Sequence, residues 1–208
     1  MKVSTRLDEL IRRGRIARYR ALSNCRRVSG TPILRQPLLL LGEGTIAFGH
    51  DVEFGWPTSM GFHRGHCQLE ASTPAAAIEI GDLAQVNNNA FIKSEGPGIS
   101  IGARALLGSG VTIYDSDFHD LRPGHRHDGR PRMAAVELGA DVFIGDHVTI
   151  LKGVRIGAHS VIGAGSVVAS SIPAGVIAAG NPARVIRELS HEGDAGEVST
   201  EVAANGHR

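Results

Sequence analysis

From residue 138 the chain reads LGADVF IGDHVT ILKGVR IGAHSV IGAGSV VASSIP, which places Leu138, Ile144, Ile150, Ile156, Ile162 and Val168 six apart, with glycine after four of them. A six-residue step carries an α-helix through about 600°, or 240° around its axis, so these residues line no helical face. A single strand seldom exceeds about 10 residues, so one strand cannot carry the pattern either. Short strands joined by tight corners remain, each turning one aliphatic side chain inward. Three such strands close a triangular coil of about 18 residues, and successive coils stack at roughly 4.8 Å through parallel ladders. The chain is therefore expected to be all-β, a β-solenoid.

The same count occurs earlier in other registers: Ile101, Leu107 and Ile113; Ile80, Val86 and Ile92; and, more weakly, Leu34, Leu40, Ile46 and Val52. Four registers imply three interruptions. Composition agrees with a core of small and β-branched side chains, since 27 glycines accompany only 4% aromatic residues in 208.

The ends differ from the middle. Residues 1–33 form a basic arm: from Lys2 to Arg35 there are ten lysines and arginines against Asp8 and Glu9, and residues 4–22 read as a helix capped by Ser4 or Thr5. A solvated or docked helix face is one reading of these charges, and peripheral contact with anionic lipid or a phosphorylated substrate is the other. Nucleic acid is not expected, because no aromatic residues interleave with the arginines. The repeat domain is expected over 34–180 with a loop at 114–137. NPARVIREL at 181–189 reads as a short carboxy-terminal helix introduced by Asn181 and Pro182, and the polar stretch 190–208 as a disordered tail. Cys25 and Cys67 have neither metal spacing nor a disulfide framework, and the first residues lack a secretory pattern, which together fit a cytoplasmic protein.

The longest break, IYDSDFHDLRPGHRHDGRPRMAAVEL at 113–138, opens with His119 among Asp115, Asp117 and Asp120. Four landmarks then fall in order: VNNNAF; VTIYDSDFHDL; VFIGDHVTILKGVRIGAHSVIGAGSVV; and IPAGVIAAGNPARVIREL. On these the chain resembles the hexapeptide-repeat acyltransferases, in the branch that acetylates sugars and surface polysaccharides and includes galactoside and maltose acetyltransferases. The resemblance spans residues 34–187 and implies a left-handed parallel β-helix, acetyl-CoA as co-substrate with no metal, a homotrimer and a saccharide or other small-molecule acceptor.

Residue by residue, the resemblance puts the catalytic base on His119. The chemistry suits it: a sugar hydroxyl is a poor nucleophile at neutral pH, and an imidazole, with an ordinary pKa of about 6.5, can take its proton as a thioester is attacked. Asp117 is the preferred carboxylate to orient the ring, although turn capping accounts equally well for all three aspartates. His125 and His127 read as solvated. Asn87, Asn89 and Glu95 match acceptor positions, with ladder or corner roles open for both asparagines. Phe143, Asp146 (through its amide) and Ala164 match donor positions, and Arg184 and Arg187 match phosphate contacts. A Thr-Lys pair common in such proteins is Ala169-Ser170 here.

Other classes fit less well. A zinc hydratase of the same fold needs histidines five apart, and this chain has no such pair. N-acetylation of an amino sugar and a non-catalytic scaffold remain the alternatives.

Overall fold

The computed structural model describes residues 2–189, so the tail expected at 190–208 lies outside the described residues. The architecture is a left-handed parallel β-helix of three sheets, two of six strands and one of eight. Each coil contributes one strand to sheets A, B and C in turn. Coil 1 comprises Arg27–Ser29, Ile33–Leu34 and Leu38–Gly42; coil 2, Thr45–Phe48, Glu53–Phe54 and Cys67–Ala71; coil 3, Ala77–Ile80, Gln85–Val86 and Phe91–Ser94. Coil 4 comprises Ile99–Ile101, Leu106–Leu107 and Thr112–Tyr114; coil 5, Val136–Leu138, Phe143–Ile144 and Thr149–Ile150; coil 6, Arg155–Ile156, Val161–Ile162 and Val167–Val168.

The period of six is the period of the core. Parallel register stacks Phe54, Val86, Leu107, Ile144, Ile162 and Ala178 in one column of sheet B. Leu69, Ile92, Ile113, Ile150 and Val168 stack likewise in sheet C. All of these side chains are buried. Two residues before each inward aliphatic sits a second buried position, held by Val142, Val148, Val154, Ser160 and Ser166 in the last coils, where the narrowing corner admits only small side chains. Where glycine follows the aliphatic, coil stacking requires it: a Cβ built on Gly145 would stand 2.6 Å from the Ala164 amide nitrogen of the next coil.

The amino-terminal helix, Lys2–Leu22, caps coil 1. Arg12 donates to the Leu34 carbonyl at 3.2 Å, Tyr19 stacks on His66 with centroids 4.3 Å apart, and the Leu40 amide donates to Ser23 Oγ at 3.0 Å. The arm is not helical throughout: Arg27–Ser29 is already the first strand of sheet A, paired with Thr45–Ala47, so the solenoid begins before residue 34.

At the other end the structure corrects the expected helix at 181–189. Val176–Gly180 extends sheet B, the chain reverses at Asn181–Pro182, and Ala183–Glu188 returns as an antiparallel strand. Helical propensity loses here to the exposed edge of sheet B, whose unpaired backbone groups a returning strand satisfies.

Two long excursions leave the coils, both at corners: 55–66 between sheets B and C, and 115–135 between sheets C and A. Truncating a fully buried core residue, Ile150→Ala, is expected to lower stability by about 2–5 kcal/mol. Gly145→Ala, which removes nothing, is expected to cost about 1–3 kcal/mol by forcing coils 5 and 6 apart. Urea unfolding of both variants measures these losses.

Candidate functional site

The break at His119 is built on a buried aspartate. Asp115, fully buried, accepts from the Glu95 amide (2.8 Å), Ser94 Oγ (2.6 Å) and the Gly98 amide (3.0 Å), and so ties the loop at 95–98 to the start of the longer one. Two strand-like bonds close the neck, Asp117 N to Arg132 O at 3.0 Å and Ala134 N to Asp115 O at 2.9 Å. Asp120 accepts from the Arg122 side chain and amide, and these bonds hold its carboxyl down at about 2. It therefore stays ionised wherever an imidazole would titrate.

His119 itself is exposed, and its Nδ1 lies 2.9 Å from the Arg126 carbonyl. A carbonyl oxygen can only accept, so Nδ1 carries the proton and, in the neutral ring, Nε2 presents its lone pair outward. The orienting group is thus a backbone carbonyl, which corrects the expectation for Asp117. That carboxylate pairs instead with Lys152 (Oδ1 to Nζ, 2.7 Å), while its Oδ2 is buried with no hydrogen-bond partner among the described residues. Glu95 sits on the same edge, accepting from Ser116 Oγ at 3.4 Å with Lys93 Nζ at 3.6 Å. His125 faces Asp128 at 3.6 Å, and both His125 and His127 are exposed, as expected.

The asparagines separate into different roles. Asn88, buried and not singled out by sequence, clamps the excursion at 55–66: its Oδ1 accepts from the Trp56 amide (3.0 Å) and its Nδ2 donates to the carbonyls of Trp56, Ser59 and Met60. Asn89 takes a left-handed corner (φ 60°) and exchanges bonds with the Gln36 side chain. Its carboxamide faces Gly61 and Gly65, where any Cβ would collide with it. Asn89 is therefore part of the loop's footing, contrary to its expected acceptor role. Asn87 alone reaches a cavity, its Nδ2 donating to Ser59 Oγ at 2.9 Å and its Oδ1 accepting from the Asn88 amide at 2.8 Å.

That cavity, of about 300 Å³, is walled by Trp56, Ser59, Gln85, Asn87, Phe143 and Asp146. It stands at the head of a corner shared by five successive coils. Because Val86, Leu107, Ile144, Ile162 and Ala178 are in register, the residues after them, Asn87, Gly108, Gly145, Gly163 and Ala179, follow one another down one edge. Asp146 and the exposed Ala164 lie on this edge, and Arg184 pairs opposite Ala179 at its far end, with Arg187 further along the same strand. Phe143, half exposed, projects from the adjoining face. The Asp146 carboxylate accepts from the Ser109 amide at 2.7 Å and so braces the coil before it.

The structure brings Asn87 together with the donor-matching residues but leaves His119 apart. In coil 4 the first edge lies at Gly108 and the other at Asp115, with the corner residues 109–111 and the sheet C strand Thr112–Tyr114 between them. Trp56 was the residue sequence missed. The usable signal was its place inside the first interruption of the repeat, between Val52 and Ile80, as the chain's one tryptophan.

Residues 135–170 match the family model described as bacterial transferase hexapeptide (six repeats). Galactoside O-acetyltransferase of Escherichia coli is 42% identical over 92 residues, 44% of this chain and 45% of that protein. An acetyltransferase-named protein of Saccharomyces cerevisiae, YJL218W, is 40% identical over 115 residues, 55% of this chain and 58% of its own. The chain thus spans about half the length of these relatives. Among solved structures, the hexapeptide-repeat acetyltransferase VCA0836 of Vibrio cholerae in complex with acetyl-CoA is similar over 90% of this chain and 85% of that one, at 26% identity and a TM-score of 0.53. The Bacillus cereus N-acyltransferase AntD shares the fold at 22% identity, with a TM-score of 0.63 over 79% of this chain and 83% of that one. Among the described residues no cluster of His, Cys, Asp and Glu could hold a metal ion, and no helix is long and apolar enough to cross a membrane.

Asn88→Ala should strand the three carbonyls its carboxamide serves and cost about 2 kcal/mol or more. Its local signature would be faster trypsin cleavage after Arg64 than in the unaltered protein. Lys152→Met should leave the Asp117 carboxylate uncompensated. It is expected to lower stability in urea by about 1–3 kcal/mol, less than a fully buried pair would because both side chains keep some solvent.

Proposed function

We propose that this protein transfers the acetyl group of acetyl-CoA to a hydroxyl of a sugar or surface-polysaccharide precursor, working as a homotrimer with each site formed between neighbouring copies. The observation that carries the reading is the His119 ring, fixed through Nδ1 by the Arg126 carbonyl with Nε2 left as a lone pair. The sugar O-acetyltransferase among the relatives and the acetyl-CoA complex of the structural neighbour support the choice of acceptor and donor.

In this mechanism Nε2 of His119 takes the acceptor hydroxyl proton as the oxygen attacks the thioester carbonyl carbon. The resulting oxyanion is received by the Asp146 amide, a donor already in place and needing no reorganisation. The carbon–sulfur bond then breaks, and the imidazolium returns its proton to the departing thiolate, giving the acetyl ester and free CoA. Arg184 and Arg187 hold phosphate oxygens, Ala164 and Phe143 flank the pantetheine arm, and Asn87 binds acceptor hydroxyls. Asp117 and Asn89 act on the scaffold and touch no substrate.

The place of His119 on a different corner from the donor edge supports a site between copies, since a neighbouring copy that presents its own His119 to this donor edge completes a site no single chain contains. A second prism also walls the cleft from water, where preset dipoles stabilise charge more strongly.

The test is release of CoA thiol from acetyl-CoA in the presence of a panel of saccharides and nucleotide sugars, with product mass identifying the acetylated species. Mild alkali distinguishes an ester, which it cleaves, from an amide. His119→Ala is expected to lower kcat by about 10²–10⁴-fold while the KM for acetyl-CoA changes by less than about twofold. Turnover near the unaltered rate would remove His119 from the mechanism.

A further inference from the structure

We propose that Trp56 is a specificity residue of the acceptor site, an aromatic platform on which one face of a pyranose ring without negative charge stacks. The inference rests on the sugar-acceptor reading above and adds to it the residue and the class of sugar.

The ring is held out by design of the local backbone. Both polar backbone groups of Trp56 are bound by one buried carboxamide: its amide donates to Asn88 Oδ1 and its carbonyl accepts from Asn88 Nδ2, each at 3.0 Å. The loop that carries it is pinned from the other side by Arg15 of the amino-terminal helix, which donates to the carbonyls of Phe62 (3.2 Å) and Gly65 (2.5 Å). Gln36 adds a bond to the Gly61 carbonyl at 3.1 Å. Held this firmly, Trp56 nevertheless leaves 45% of its surface exposed, and it lines the cavity that contains Asn87. A large aromatic surface that folding fixes but does not bury is poised to be covered by a ligand.

The cavity's chemistry selects what covers it. Pyranose rings present axial and ring C–H groups on one face, which rest favourably on the negative face of an indole, and hydroxyls around the edge, which need donors and acceptors. Around Trp56 stand the exposed carboxamide of Gln85, the Ser59 hydroxyl and Asn87, whose carboxamide has one N–H and one acceptor position left after its two protein bonds. Two carboxylates stand on the wall: Glu53 is paired with Arg35 through bonds of 3.0 and 3.2 Å, while Asp146 accepts from the Ser109 amide at 2.7 Å and keeps its charge, so the site disfavours an anionic sugar. A cavity of about 300 Å³ suits one sugar unit.

The adenine of CoA could also stack on an indole, but position argues against it. Arg184 lies opposite Ala179, four coil steps from Asn87 along the shared corner, about 19 Å at 4.8 Å per step. The phosphate-bearing end of the donor belongs there, and Trp56 stands at the acyl end.

Two measurements decide the matter. In steady-state assays with the best saccharide of the panel, Trp56→Ala should raise the acceptor KM about tenfold or more, leave the KM for acetyl-CoA within about twofold, and be largely rescued by Trp56→Phe. Because the chain has a single tryptophan, its emission reports on this cavity alone, and the unaltered protein titrated with the free saccharide should show a saturable shift that acetyl-CoA alone does not reproduce. An unchanged acceptor KM in Trp56→Ala would overturn the platform while leaving the sugar-acceptor reading intact, as would emission that answers to acetyl-CoA and not to saccharide. If Trp56→Ala fails to fold, the emission titration alone decides. No turnover of any saccharide by the unaltered protein would overturn both readings together.

Discussion

Everything in this molecule is subject to the ladder of backbone hydrogen bonds between one coil and the next. A strand that must pair above and below with strands of the same length cannot grow or shift, so added residues can leave only at corners. At several corners the backbones come so close that the residue after the inward aliphatic has no room for a side chain, as Gly145 shows against Ala164. This one constraint explains the six-residue count, the abundance of glycine and the placing of both long excursions at corners. It also fixes the edge geometry: residues one coil apart at a corner are about 4.8 Å apart, which makes each corner a ready-made linear track for an extended ligand.

The two corners are organised by different buried groups. At the corner between sheets C and A, a buried carboxylate, Asp115, organises backbone amides so that an exposed imidazole can be aimed by a carbonyl seven residues away. At the corner between sheets B and C, a buried carboxamide, Asn88, can donate and accept at once and so fastens both sides of a turn. The helix at the amino terminus contributes to this second edge through Arg15. That use of its charges reduces what remains for an anionic surface, although Leu7, Leu10 and Ile11 stay exposed beside Arg6 and Arg13.

Sequence disclosed what the period controls. The inward aliphatics, the coil length and the position of His119 at the mouth of a break were all legible, because each is a departure from or an instance of one count. What depends on chain segments meeting in space was not. The partner of His119 Nδ1 is a carbonyl, which no side-chain pattern can signal, and the neighbouring Asp117 drew attention that belonged to Arg126. The strand Ala183–Glu188 exists because an open sheet edge lies beside it, which its own residues do not announce. Trp56 was overlooked because the histidines of its loop, His63 and His66, have no aspartates beside them as His119 does, although the rule that singled out one break applied equally to the other.

The account's central claim is that a working site joins the donor edge of one copy to the His119 edge of another. Its most direct test mixes two inactive proteins, His119→Ala chains and chains carrying Arg184→Ala with Arg187→Ala, after dissociation and reassembly, with the presence of mixed oligomers verified by native mass. If sites span copies, the mixture contains junctions with both edges intact, and its CoA release should rise well above that of either parent. A mixture of verified mixed oligomers no more active than the average of its parents would contradict the claim and return both edges to a single chain.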